Sequence, residues 1–234
     1  MLNSLIRGGM SFAASFCAVV LLASCGVTPL YYSPVDDKSP AEMFDAEARS
    51  SLLKGGKFKS DDGDVTVVFS ECTGSAFTID LSSDDDELEK YALRGDATII
   101  NEDDEKKDET WLPVLLVPFR HAGSLFFYLT LDNMSIMEKA GLHPEYLFMM
   151  RPYSYILKAE AKDGGWEVGF VQFATKSLEL KKIADRAKTD DDGTVFNPPA
   201  EILDMLKDPK NYELSSKIVF RPVKETAPQA SSSK

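Results

Sequence analysis

Apolar and polar positions alternate with period two along much of this chain. Val65, Val67 and Phe69 alternate with Thr66, Val68 and Ser70. Beyond a turn at Thr73-Gly74-Ser75, Phe77, Ile79 and Leu81 alternate in the same way, so the spacing predicts a hairpin with one buried face. Tyr91, Leu93, Ala97 and Ile99 continue the pattern past a polar turn at Ser82 to Asp86. Leu112–Phe119 and Leu125–Leu131 are apolar on both faces, joined by Arg120-His121-Ala122-Gly123, and should sit mid-sheet or line a closed interior. Pro113 and Pro118 lack ladder donors, which places them at strand ends or an edge. The clearest hairpin runs from Tyr153, Tyr155, Leu157, Ala159 and Ala161 through Asp163-Gly164-Gly165 to Trp166, Val168 and Phe170. Ile218 and Phe220 mark a closing strand, whereas Leu142 to Pro152 reads equally as strand or helix.

Helical spacing is confined to the flanks of these strands. Ser39-Pro40-Ala41-Glu42 has the form of a capping box, and Phe44, Ala48 and Leu52 fall four apart on one face. Gly55-Gly56 should end that helix near Lys54. Ser135-Ile136-Met137-Glu138 is a second capping box, opening a short helix that Gly141 stops. Leu180, Ile183, Ala184 and Ala187 repeat helically, as do Pro199, Ile202, Leu203 and Leu206 behind an Asn197 cap. The expected class is therefore α+β and mainly β. About eight antiparallel strands should form a curled sheet or partly closed barrel, with peripheral helices.

The N-terminus departs from this pattern. Arg7 precedes an apolar run from Met10 to Ala23, and small residues lead up to Cys25. At about 14 residues the run is shorter than the ~20 a spanning helix needs, so it reads as a cleaved export signal. Leu22-Ala23-Ser24-Cys25 resembles the lipobox of bacterial lipoproteins at every position. That resemblance covers residues 1–26. It implies cleavage before Cys25, a diacylglycerol thioether on its sulfur and an acylated amine. It places the protein in the bacterial cell envelope, attached to the membrane by its N-terminal lipid. Gly26, a residue other than Asp, suggests the outer membrane. Two or more acyl chains give stable attachment where one does not.

The organisation that follows is a signal over 1–24, a proline-stiffened tether over 25–39, one globular domain over 40–223 and a Ser/Pro/Ala tail over 224–234. Of three cysteines, Cys17 leaves with the signal and Cys25 takes the lipid. Cys72 alone remains, so the mature chain has no internal disulfide. The formal charge of −12 becomes −13 once Arg7 is lost. A body this acidic is repelled by nucleic acid and by anionic head groups, which excludes nucleic acid as a partner and leaves attachment to the lipid.

Candidate chemistry is thin. Acidic clusters occur at Asp61-Asp62-Gly63-Asp64, Asp84 to Glu87, Glu102 to Glu109 and Asp190-Asp191-Asp192-Gly193. Aligning Gly193 or Gly63 as the sixth residue of a calcium loop puts Lys188 or Phe58 at the first, so that motif fails. His121 and His143 have no metal-ligand spacing. No nucleophile elbow, dinucleotide fingerprint or phosphate loop is present, and no catalytic, metal or cofactor residue is assigned. Arg94-Gly95-Asp96 spells an adhesion tripeptide inside a strand pattern, where recognition has no exposed loop tip to work from. Phe119, Phe126, Phe127, Tyr128, Tyr153, Tyr155, Trp166 and Phe170 fall on adjacent strands, as core or as the lining of an apolar pocket. The leading expectation is a non-catalytic binding or envelope-assembly role, with envelope proteins as candidate partners. The alternatives are an envelope hydrolase with an unrecognised site and a carrier of apolar ligands.

Overall fold

The structure is a computed structural model that describes residues 43–72, 91–103, 106–132, 135–136, 139, 141, 154–173 and 199–223. Its centre is a closed barrel of eight antiparallel strands: β1 (Lys57–Ser60), β2 (Val65–Glu71), β3 (Leu93–Asp103), β4 (Lys106–His121), β5 (Ser124–Leu131), β6 (Ser154–Lys162), β7 (Gly165–Gln172) and β8 (Glu213–Pro222). Each strand pairs with the next, and β8 returns to β1 through Phe58 opposite Pro222 and Ser60 opposite Phe220. Eight strands enclose a space just wide enough for side chains or one small ligand. The expected partly closed barrel is thus fully closed.

Two hairpins turn as their sequences require. Asp163 and Gly164 both have positive φ, at 48° and 80°, in the two-residue loop between β6 and β7. Ala122 and Gly123 take the same path between β4 and β5, at 47° and 78°. That path suits the right-handed twist of the strands but strains an alanine.

The partners of β2 differ from the sequence expectation. Both of its flanks are occupied, by Lys57–Lys59 of β1 and by Leu93–Ile99 of β3. The expected partner over 76–81 lies outside the described residues. β1 itself carries one apolar residue, Phe58, between two lysines and shows no period to read. The prolines of β4 sit mid-strand but at local edges of the sheet, the second of the two expected placements. Pro113 accepts the Asp132 amide and Pro118 the Asp45 amide, both at 3.0 Å. The ladder with β5 stops at Val114 and the ladder with β3 at Leu116. Each proline therefore faces a flank where the neighbouring strand has already ended, and no ladder donor is missed.

Helix α1 (Ala46–Gly55) begins later than the Ser39 capping box implies; residues 39–42 lie outside the described residues. Its N-cap is Asp45, whose carboxylate accepts the Ala48 amide at 2.8 Å. Phe44 precedes the helix and bridges Phe119 instead of sharing its apolar face. Gly56, at φ 62°, ends the helix by donating its amide to the Leu52 carbonyl. The turn after β5 is likewise capped three residues earlier than expected. Asp132 accepts from the Ser135 amide at 3.0 Å and from its hydroxyl at 2.5 Å.

Two packed layers result. Ala48 and Leu52 of α1 plug one end of the barrel, against inward-facing Phe58, Leu93, Leu116, Leu125 and Phe127. Helix α2 (Pro199–Leu206) covers the outer wall with Ile202, Met205 and Leu206, over Val117, Phe119, Phe126, Tyr128 and Ile156. This is why β4 and β5 are apolar on both faces. The helix expected over 180–187, the Asn197 cap and the tail over 224–234 lie outside the described residues.

Candidate functional site

The alternation of each strand sends one set of side chains into the barrel. All eight strands contribute, and every residue lining the lumen is apolar, from Phe58 of β1 to Phe220 of β8. They leave a cavity of about 170 Å³. Phe69, Trp166, Phe170, Phe220, Val67 and Ile99 point inward yet remain half-buried, because the side chains do not fill the space between them. Ring contacts hold the wall in shape. Trp166 meets Phe127 edge-on with centroids 6.1 Å apart, and Tyr155 meets Phe170 at 6.2 Å. Gly95 keeps part of the lumen open. A β-carbon there would lie 2.9 Å from Val114 Cγ2 and 3.2 Å from Phe69 Cε1.

One end of this lumen is stoppered by Leu52 of α1, which is 3 % exposed. Toward the other end, Ile136 packs with Ala97, Leu112, Val114 and Leu131. Its backbone amide bonds the Asp132 carbonyl at 3.1 Å, and Arg94 Nη1 stands 3.8 Å from the buried Asp132 carboxylate.

A second hollow, about 450 Å³, lies beside the plugged end. Its walls are α1 at Glu47, Ala48 and Ser51, the β4–β5 tip at Arg120 and Ser124, and β6 at Lys158 to Ala161. Trp166 lines both this cleft and the lumen, and no other described residue does. The cleft charges are largely spent on each other. Arg120 Nε lies 2.5 Å from Asp45 Oδ2, and Lys158 Nζ lies 3.0 Å from Glu160 Oε1.

The residues singled out by sequence scatter around these two spaces. Cys25, the expected lipidation residue, lies outside the described residues, as do His143, Tyr153 and the acidic clusters at 84–87 and 190–192. Cys72 follows β2 and packs against the outer cluster. His121 ends β4, and its Nε2–H donates to the Leu203 carbonyl at 2.7 Å, tying α2 to the barrel. Asp61 to Asp64 form the β1–β2 turn. Asp61 accepts from Arg221, and Asp62 Oδ1 accepts the Asp64 amide at 3.1 Å. The hydroxyl of Ser60 and that amide hold the Asp62 carboxyl below its ordinary pKa. Among the described residues, no three His, Cys, Asp or Glu side chains converge as a metal site. Arg94 and Asp96 face outward on β3, where Asp96 accepts the Trp111 indole N–H at 3.1 Å. Six of the candidate aromatics divide by strand parity. Phe127, Trp166 and Phe170 line the lumen, while Phe119, Phe126 and Tyr128 lie beneath α2.

The sequence missed Phe58, Ile218 and Phe220 as lumen residues working together. Period two marks Ile218 and Phe220 as sharing a face, but β1 shows no period, and nothing local announces that β1 and β8 meet. No family model, curated protein or solved structure matches this chain.

Proposed function

We propose that this protein is a lipid-anchored component of the bacterial cell envelope, held at the outer membrane through Cys25, that binds a small apolar ligand in its barrel without catalysis. The observation that carries the ligand class is the lumen, whose lining is apolar from every strand. An apolar cavity of about 150 Å³ in a protein interior stays dry and takes up benzene. A cavity of about 170 Å³ suits a ligand of that size, or one end of a hydrocarbon chain. It falls short of the ~300 Å³ at which pockets for whole drug-sized molecules begin. The lipobox resemblance supports the anchor, and an envelope location puts the barrel among lipids and their breakdown products.

Benzene titration of the mature protein tests the ligand class. The expected result is a rise in Tm, together with a shift in Trp166 emission in a Trp111→Phe background. Ala97→Leu, which adds bulk to the lumen wall, should remove both responses. Absence of either response in the unfilled protein overturns the reading. Mass spectrometry of the mature N-terminus tests the anchor, and an unmodified Cys25 overturns that part.

A further inference from the structure

The cleft and the lumen share a wall, and that wall is one side chain. We infer that the two form a single bipartite site for a single-chain amphiphile with an uncharged, hydroxyl-bearing head, such as a monoacylglycerol. This deepens the lumen reading and rests on it. The hydrocarbon end occupies the lumen of about 170 Å³, and the head lies in the cleft of about 450 Å³. Together the two spaces reach the size of ordinary ligand pockets, which neither chamber does with matching chemistry alone. Trp166 stands between them as a partition, half-buried and braced on one side by Phe127.

The charges of the cleft select the head. Arg120 is engaged by the buried Asp45, and Lys158 by Glu160. An anionic head therefore finds its candidate cations already occupied. Glu47, in the first turn of α1, and the acidic body of the protein repel it further. A cationic head meets the repulsion of Arg120 and Lys158, whose partner carboxylates are already engaged. Hydroxyl groups face neither penalty. Ser51 and Ser124 border the cleft and supply hydroxyls that donate and accept. The apolar remainder, Ala48, Leu125, Ala159 and Ala161, receives the first carbons of the chain.

Calorimetric titration of the mature protein separates the chambers. The probes are benzene, 1-octanoylglycerol below its self-association concentration, and octanoate. The expected result is that octanoylglycerol binds at least tenfold tighter than both benzene and octanoate. Ala161→Phe, which fills the cleft from an exposed strand position, should weaken octanoylglycerol at least tenfold and leave benzene unchanged. If benzene binds but octanoylglycerol is no tighter, or ignores Ala161→Phe, the bipartite site is wrong and the lumen reading stands. If octanoate equals octanoylglycerol, the uncharged head is wrong. If benzene does not bind, the lumen reading fails and this inference falls with it.

Discussion

Asp61 and Arg221, 160 residues apart, meet across the seam that closes the barrel: Nε lies 2.7 Å from Oδ1 and Nη2 3.1 Å from Oδ2. The same guanidinium donates through Nη1 to the Asp163 carbonyl at 3.1 Å, so one side chain ties β8 to the β1–β2 turn and the β6–β7 turn. Asp61 also raises the Arg221 pKa above its ordinary value, by hydrogen bonding first and by charge second. Both side chains are close to half exposed, so salt should screen the pair. Asp61→Ala and Arg221→Ala should each lower Tm, and the double variant should lose less than the two combined. A double-mutant cycle at low and high salt measures this, with the coupling shrinking at high salt.

The two tight turns call for opposite substitutions. Ala122 occupies a left-handed conformation that asparagine and glycine adopt more readily. Ala122→Asn should stabilise the protein by about 1 kcal/mol, read from urea midpoints. Gly165 has no such latitude. A β-carbon there would lie 2.2 Å from the Phe220 carbonyl oxygen. Gly165→Ala should cost about 1–3 kcal/mol, since backbone must shift at the β7–β8 ladder.

Asp45 supports the plug of the barrel. It caps α1 and is ion-paired to Arg120, with its side chain 4 % exposed. Asp45→Ala should cost about 1–2 kcal/mol by loss of the cap. Amide hydrogen exchange should quicken at Ala48 and Leu52 first, because those residues stopper the lumen.

Acid stability should depend on Ser60. Its hydroxyl is the largest cause of the lowered Asp62 pKa, and its oxygen accepts the Val65 amide at 2.9 Å. A carboxyl whose folded pKa is depressed stabilises above its unfolded value, and that contribution is lost as pH falls through the folded one. The contribution of Asp62 is therefore complete above its ordinary value of 3.8 and disappears below it. Ser60→Ala should destabilise at neutral pH and converge partly on the parent once pH has fallen through the lowered folded-state value of Asp62, the Val65 amide accounting for the remainder. Urea unfolding across pH 2–7 checks this.

Tyr212 carries a buried hydroxyl with no hydrogen-bond partner among the described residues, and burial pushes its pKa up. Its ring packs edge-on against Phe126 at 6.3 Å. Tyr212→Phe keeps the ring and removes an unsatisfied group. Stability should hold or rise by about 1 kcal/mol in chemical unfolding.

Much of the barrel is legible in the sequence because its strands obey period two one at a time. Asp163-Gly164 announces its hairpin, and the doubly apolar β4 and β5 announce two covered faces. Pairing between strands is less legible. β2 lies near a strand-like stretch at 76–81, so local pattern suggests a hairpin, whereas its ladders go to Lys57–Lys59 and to Leu93–Ile99. Caps mislead when several candidates adjoin: the Ala48 amide goes to Asp45 and the Ser135 amide to Asp132, neither of which the sequence patterns singled out. The lumen follows from parity once closure is known. Phe126 and Phe127 are neighbours in the chain and face opposite layers, a distinction that aromatic content alone does not convey.

The circular pairing makes the last strand a keystone. The Val223 amide reaches the Lys57 carbonyl at 2.8 Å, so the ring is joined where the described chain nears both its first and last strands. A nascent chain cut short of Glu213 leaves β1 and β7 each with one bare flank, and bare flanks recruit other chains. Premature termination should thus yield sticky fragments rather than a smaller working barrel. Native assembly must wait until β8, Glu213–Pro222, has been made.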